Sequence, residues 1–143
     1  MADATVRTYD PAQVQVIIGA VVGYGYADGT FIKITRDGNA FEKKRGADGT
    51  IDRVNKNAVD FSVEFSIKQT SPLNAILAGL LVADQASNAG VFPLTIKDGS
   101  GNSLFEAPQA WIEKDPDQVY ADAQSNVTWK FSTGPGVNLI AGN

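Results

Sequence analysis

The stretch Asp60-Phe61-Ser62-Val63-Glu64-Phe65-Ser66-Ile67-Lys68-Gln69-Thr70-Ser71-Pro72-Leu73-Asn74-Ala75-Ile76-Leu77 decides the fold. In its first half Phe61, Val63, Phe65 and Ile67 alternate with Ser62, Glu64, Ser66 and Lys68. Successive side chains of a strand point to opposite faces, so this is a strand with one apolar and one polar face. Then the period changes. Ser71-Pro72 has the form of an N-cap followed by proline at the first helical position. Leu73, Ile76, Leu77, Leu80 and Leu81 follow, a spacing that lays one apolar stripe along a helix ending within residues 84–88. Gly90 supplies a stop, and Phe92, Leu94 and Ile96 resume the period of two. Residues 60–97 thus read as strand, helix, strand, and the helix needs a sheet to cover its one apolar face. The expected core is Phe61, Val63, Phe65, Leu73, Ile76, Leu77, Leu80 and Leu81, joined by Trp129 and Phe131 from a later strand.

Working outward, residues 13–18 alternate Val14, Val16 and Ile18 with Gln13, Gln15 and Ile17, a first strand. Residues 19–29 carry Gly23, Gly25 and Gly29 and read as a short, irregular strand with a turn at Asp28-Gly29. Residues 30–36 form a second good strand. Asp37-Gly38 is a hairpin signal, from which residues 40–45 return. Residues 46–57 are long and polar for a connection inside a compact domain, which marks a functional loop or an extended hairpin. Downstream, Asp98-Gly99-Ser100-Gly101-Asn102 is a turn, and residues 103–114 are a strand whose Pro108 predicts an edge or a bulge. Residues 125–133 alternate again, with Val127, Trp129 and Phe131 against Thr128, Lys130 and Ser132. The expectation is a mainly β single domain over residues 1–143. It is a small β-sandwich or barrel of about seven or eight strands with one flanking α-helix. Residues 1–11 form an N-terminal arm and residues 134–143 a C-terminal tail.

Composition excludes several classes of function. With no cysteine and no histidine among 143 residues, disulfides, thiolate nucleophiles, histidine-based acid–base catalysis and the usual zinc sites are out. No run of about 18 apolar residues is present to span a membrane, and Met1-Ala2-Asp3-Ala4-Thr5 lacks the pattern of a signal peptide. A net charge of -4 argues against a protein that coats duplex DNA. Gly23-Tyr24-Gly25-Tyr26-Ala27-Asp28 lacks the third glycine of a dinucleotide fingerprint, and no helix follows it. The 98–102 turn has alternating oxygen donors, as a calcium loop does, but Ser103 and Gln109 stand where the glycine and glutamate belong. Glu113, Asp115 and Asp117 read as a solvated turn rather than a glycosidase carboxylate pair. Lys43-Lys44-Arg45 sits among Glu42, Asp48 and Asp52, a solvated face or subunit contact rather than a phosphate site. No catalytic, metal or cofactor residue is expected, and no enzyme.

Several motifs in order resemble one known family. These are Tyr9-Asp10-Pro11-Ala12-Gln13-Val14, Ala27-Asp28-Gly29-Thr30-Phe31, Gly46-Ala47-Asp48-Gly49, Gln69-Thr70-Ser71-Pro72-Leu73-Asn74 and Ala110-Trp111-Ile112-Glu113-Lys114. Over residues 9–143 the chain resembles the tail tube proteins of bacteriophages with contractile tails. The resemblance implies a virion structural protein assembled in the bacterial host cytoplasm. Six copies would close a ring, and rings would stack into a tube inside a tail sheath. Baseplate and tail terminator proteins would bound the tube, and the tape measure protein and genomic DNA would pass through its lumen without specific binding. Glu42, Lys43, Lys44, Arg45, Asp48, Asp52 and Arg53 would then belong to an inter-ring assembly loop, residues 42–57. Ser62, Glu64, Ser66, Thr128 and Ser132 are candidates for the lumen wall, where small polar and acidic groups would offer phosphate no anchor. That face could equally meet the sheath or a neighbouring subunit, and Lys68 and Lys130 would need a carboxylate nearby. The alternatives are a tube initiator or terminator, or a secretion-system tube protein, on the same fold. A third class is a β-barrel that binds small ligands.

Overall fold

The computed structural model describes residues 6–141. Of the expected arm and tail, residues 1–5 and 142–143 lie outside that range. The described chain forms ten strands and one α-helix. In order these are β1 (Val14–Ile18), β2 (Val21–Val22), β3 (Ile32–Arg36), β4 (Phe41–Arg45), β5 (Ile51–Asn55) and β6 (Phe61–Lys68). They are followed by α1 (Leu73–Ser87), β7 (Phe92–Asp98), β8 (Leu104–Lys114), β9 (Asn126–Thr133) and β10 (Val137–Leu139). Seven strands lie in the antiparallel order β2-β1-β7-β8-β9-β6-β3, and β10 adds to β8. The mainly β architecture with one helix is as the alternation predicts.

The alternation in β6 fixes the register of its neighbours, since a one-residue slip would invert every face. Val63 pairs with Phe131 and Phe65 with Trp129 on the inner face, while Glu64 meets Lys130 and Ser66 meets Thr128 on the outer. On the other side Ile32 and Ile34 of β3 join Phe65 and Val63. The sheet then curls over its apolar face. Phe61 of β6 meets Phe105 of β8 edge-on at 5.2 Å, and Phe92 of β7 meets Phe131 of β9 at 6.0 Å.

Gly23 shows how far the curl goes. β1 and β6 are four strand spacings apart in the sheet, or about 19 Å if it were flat. Yet a Cβ added to Gly23 would lie 3.1 Å from the Phe65 ring and 3.3 Å from Val16, so both sides of the sheet close on one glycine. The segment 23–27 stitches them together. The Gly23 N–H donates to the Val16 carbonyl at 2.6 Å, the Lys68 N–H to Gly25 at 2.9 Å, and the Ala27 N–H to Ser66 at 3.1 Å. The result is a folded-over sheet and not a closed barrel.

α1 lies against this core. Ser71 Oγ accepts the Leu73 N–H at 3.3 Å, and Asn88 ends the helix in the left-handed region at φ 56°, its N–H returning to the Asp84 carbonyl at 2.7 Å. Leu73 and Leu77 are fully buried and Leu80 and Leu81 half-buried, but Ile76, expected in the core, is 38% exposed. At about 100° per residue, Leu73, Leu77 and Leu80 fall within about 60° of one another, and Ile76 lies about 40° beyond them. The contact with the curled sheet is too narrow to cover it.

Two further expectations change, and one is narrowed. Asp37-Gly38 does not join a hairpin: β3 pairs with β6, and β4 pairs with β5 across Asp48-Gly49. Ile32 and Ile34 continue the inner face of β6, which the all-exposed β4 cannot do. The segment after residue 134 is not only a tail, because β10 pairs with residues 104–106 of β8. Finally, of the edge or bulge that Pro108 predicts, it is the bulge that forms, since β8 lies between β7 and β9. Its register to β7 shifts from Leu94–Ala107 to Phe92–Ala110, so Pro108, which has no N–H to donate, falls inside a bulge.

Candidate functional site

The β4–β5 hairpin stands apart from the rest of the molecule. Its strands pair only with each other among the described residues, and every residue in them is exposed. Such a hairpin has no core of its own, so local turn chemistry must hold its shape. The Gly46 N–H donates to the Thr50 carbonyl at 2.7 Å. Asp48 Oδ1 accepts from the Thr50 N–H at 3.1 Å and the Thr50 hydroxyl at 2.7 Å. Gly49 takes φ +88°, the left-handed position of a three-residue hairpin loop. The hydrogen bonds from Thr50 hold the Asp48 carboxyl below the usual aspartate range.

The register divides the hairpin into two unlike faces. Phe41 pairs with Asn55, Lys43 with Arg53 and Arg45 with Ile51, and these six side chains share one face. That face carries three cations, no carboxylate and two exposed apolar groups. Arg53 lies over the Phe41 ring at 4.3 Å. The other face holds Glu42, Lys44, Asp52 and Val54, with Lys56 Nζ 3.8 Å from Glu42. All seven residues picked from the sequence for the assembly loop therefore sit on one projection. Sequence reading missed Phe41, Ile51 and Val54, because the faces emerge only when the turn is placed at Asp48-Gly49 rather than at Asp37-Gly38.

Ser62, Glu64, Ser66, Thr128 and Ser132 share the outer face of β6 and β9. Their polar groups are largely engaged. The Ser66 and Thr128 hydroxyls bond at 2.8 Å, Ser62 donates to Asp37 at 2.8 Å, and Ser132 donates to Glu113. Glu64 stands in register between Lys33 of β3 and Lys130 of β9. Beside Lys68, Asp28 accepts from Asn126 at 2.7 Å; that hydrogen bond first, and Lys68 to a lesser degree, lower its pKa. Both lysines that needed a carboxylate have one near.

At this same Lys68 end of β6, Asn74 joins helix, strand and loop. Its Nδ2 donates to the carbonyls of Lys68, Gln69 and Ser71 at 3.1, 3.2 and 3.1 Å. Its Oδ1 accepts the indole N–H of Trp129 at 3.0 Å. A cavity of about 390 Å³ opens beside it, bounded by Gln69, Pro116, Tyr120 and Val127. A second, of about 370 Å³, lies between the free edge of β3 and β8, lined by Val14, Phe31, Ile34 and Leu104. No group of three or more carboxylates is placed to hold a metal ion among the described residues. Asp98, from the turn with alternating oxygens, spends its Oδ1 on Ser100, at 3.0 Å from the N–H and 2.7 Å from the hydroxyl.

Comparison with known proteins gives these surfaces a context. A family model described as bacteriophage PhiTE tail tube protein matches residues 12–140. Structural protein ORF10 of Pseudomonas phage KPP10 is 29% identical over 133 residues, covering 87% of this chain and 77% of that protein. Among solved structures, the tube terminating cap of the anti-feeding prophage superposes with a TM-score of 0.66 at 10% identity, over 97% of this chain and 95% of that one. The sheath/tube terminator of the extracellular contractile injection system PVC gives 0.61 at 10% identity, over 96% of this chain and all of that one, 100%. At such identity these two are likenesses of fold.

Proposed function

The chain belongs to the bacteriophage PhiTE tail tube protein family, and on that premise we propose that it is the repeating subunit of a contractile phage tail's tube. Six copies close a ring, rings stack, and the lumen conducts tape measure protein and then DNA. A sheath surrounds the tube, and baseplate and terminator proteins bound it. The tube is built in the host cytoplasm and ends in the virion tail, with no chemistry catalysed on the way. The observation that carries this is the exposed hairpin on a chain of this family. Residues 42–57 serve as the inter-ring contact, since a head-to-tail interface repeats without closing when its operation includes a translation.

The outer face of β6 and β9 is the lumen wall in this reading. Its hydroxyls are already bonded and Glu64 stands between Lys33 and Lys130, so sliding DNA finds few free hydroxyls, and a single carboxylate offsets part of the lysine charge. A second reading, a tube terminator, draws on the two solved structures of like fold, which are both terminators. Electron microscopy of the purified protein separates the two. Stacked rings of indefinite number support the subunit, and single rings that never stack support the terminator. Deleting residues 45–53 should leave a folded subunit that no longer stacks; normal tubes from that deletion would remove the hairpin's role.

A further inference from the structure

We infer that the cationic face of the hairpin docks on residues 115–122 of a second copy of this chain. The two surfaces are complementary. The hairpin face presents Lys43, Arg45 and Arg53 with Phe41 and Ile51, and no carboxylate. Residues 115–122 read Asp115-Pro116-Asp117-Gln118-Val119-Tyr120-Ala121-Asp122, three carboxylates and no cation. All three carboxylates are exposed, as are Val119 at 59% and Tyr120 at 81%. Opposite charges set partner and register, while the apolar groups, an aromatic on each side, supply a centre to desolvate.

The topology places the two surfaces at opposite ends of the subunit. The hairpin leaves after Arg36 and returns before Phe61, two residues paired with each other. Residues 115–122 leave β8 after Lys114 and lead into β9 at Asn126, which pairs with Lys68. Phe61 and Lys68 are the two ends of β6, about 24 Å apart along the strand. A copy translated along the β6 direction therefore brings its hairpin toward the 115–122 segment of the next. The hairpin itself is about 14 Å long from Phe41 to Arg45. Duplex DNA would also answer to three cations, but not to Phe41 and Ile51 exposed beside them.

This docking presupposes the tube reading and names the surfaces that would meet in it. The experiment uses the full chain, in four forms: wild type, K43E/R45E/R53E, D115K/D117K/D122K, and the six-fold combination. Assembled protein is quantified by sedimentation and micrographs, and folding of each form by circular dichroism. Each triple reversal should cut the assembled fraction at least about tenfold, since like charges then face each other, and the combination should restore it. Should a triple variant not fold, K43Q/R45Q/R53Q and D115N/D117N/D122N replace it, with a smaller loss expected. Assembly by both triple variants at the wild-type level, or a combination no better than its parents, overturns the docking and leaves the tube reading standing. Wild type that never assembles overturns both. Duplex DNA retained by wild type and lost on hairpin reversal, with assembly unchanged, overturns the docking in favour of a nucleic-acid contact.

Discussion

Replacing Asn74 by alanine tests how the helix is fastened to the sheet. The change leaves the Trp129 indole N–H, in a side chain only 3% exposed, without its acceptor, and frees three carbonyls at the helix start. A buried donor left unmatched costs about 1–3 kcal/mol, and each ordinary hydrogen bond contributes about 0.5–1.5 kcal/mol. The adjoining cavity can admit water to part of this site, which returns some of the loss. The expected destabilisation is therefore about 2–3 kcal/mol, or a fall in melting temperature of roughly 6–12 °C at this chain length. Thermal and urea unfolding should be measured at concentrations where nothing assembles, because association raises apparent stability. In a Trp111→Phe background the fluorescence reports Trp129 alone, and its emission should change when the indole partner changes. Asn74→Asp is the sharper control. It keeps an acceptor for Trp129 but turns a carboxylate oxygen toward three carbonyls, and should destabilise more than alanine. A loss below about 0.5 kcal/mol for alanine, with unchanged emission, would refute the account of Asn74 as a fastening.

Leu77→Ala should cost about 2–5 kcal/mol as a fully buried leucine, and Ile76→Ala clearly less; equal losses in urea titrations would contradict the helix orientation. Thr50→Val removes a hydroxyl donor from Asp48, so the Asp48 carboxyl should titrate closer to the ordinary aspartate value by NMR. Because the folded pKa lies below the unfolded one, the stabilising contribution of Asp48 is present above the unfolded value and fades as pH falls through the folded one; Thr50→Val should lessen that acid dependence. Ser62→Lys with Glu64→Lys should leave tubes intact and slow DNA ejection, since both side chains share the proposed wall and would add cations to it. Ejection at the normal rate would place that face elsewhere.

What the sequence disclosed followed from how local each feature is. The strands β6 and β9 and the helix carry their periods over eight or more residues, so alternation located them to within a residue or two. Asp37-Gly38 and Asp48-Gly49 are the same dipeptide, and a turn signal does not say which strands it joins. Only the match of Ile32 and Ile34 to the inner face of β6 decides that, and this is a contact between strands far apart in sequence. β10 is three residues long, too short for a period to show. Ile76 was misplaced because a helical stripe gives the side that faces inward and not the width that the sheet covers. Asn74 has no pattern at all; its role depends on three elements meeting in space.

The hairpin leaves the subunit at one end of β6 and, among the described residues, has no counterpart at the other. Any assembly that repeats this subunit by translation is therefore polar, like an arrow. One extremity always offers a cationic hairpin with exposed Phe41 and Ile51, and the other never does. Growth at the two extremities then proceeds through different encounter surfaces and need not share a rate. A protein shaped to stop one extremity has no purchase on the other, so starting and stopping such a structure calls for two chemically distinct factors.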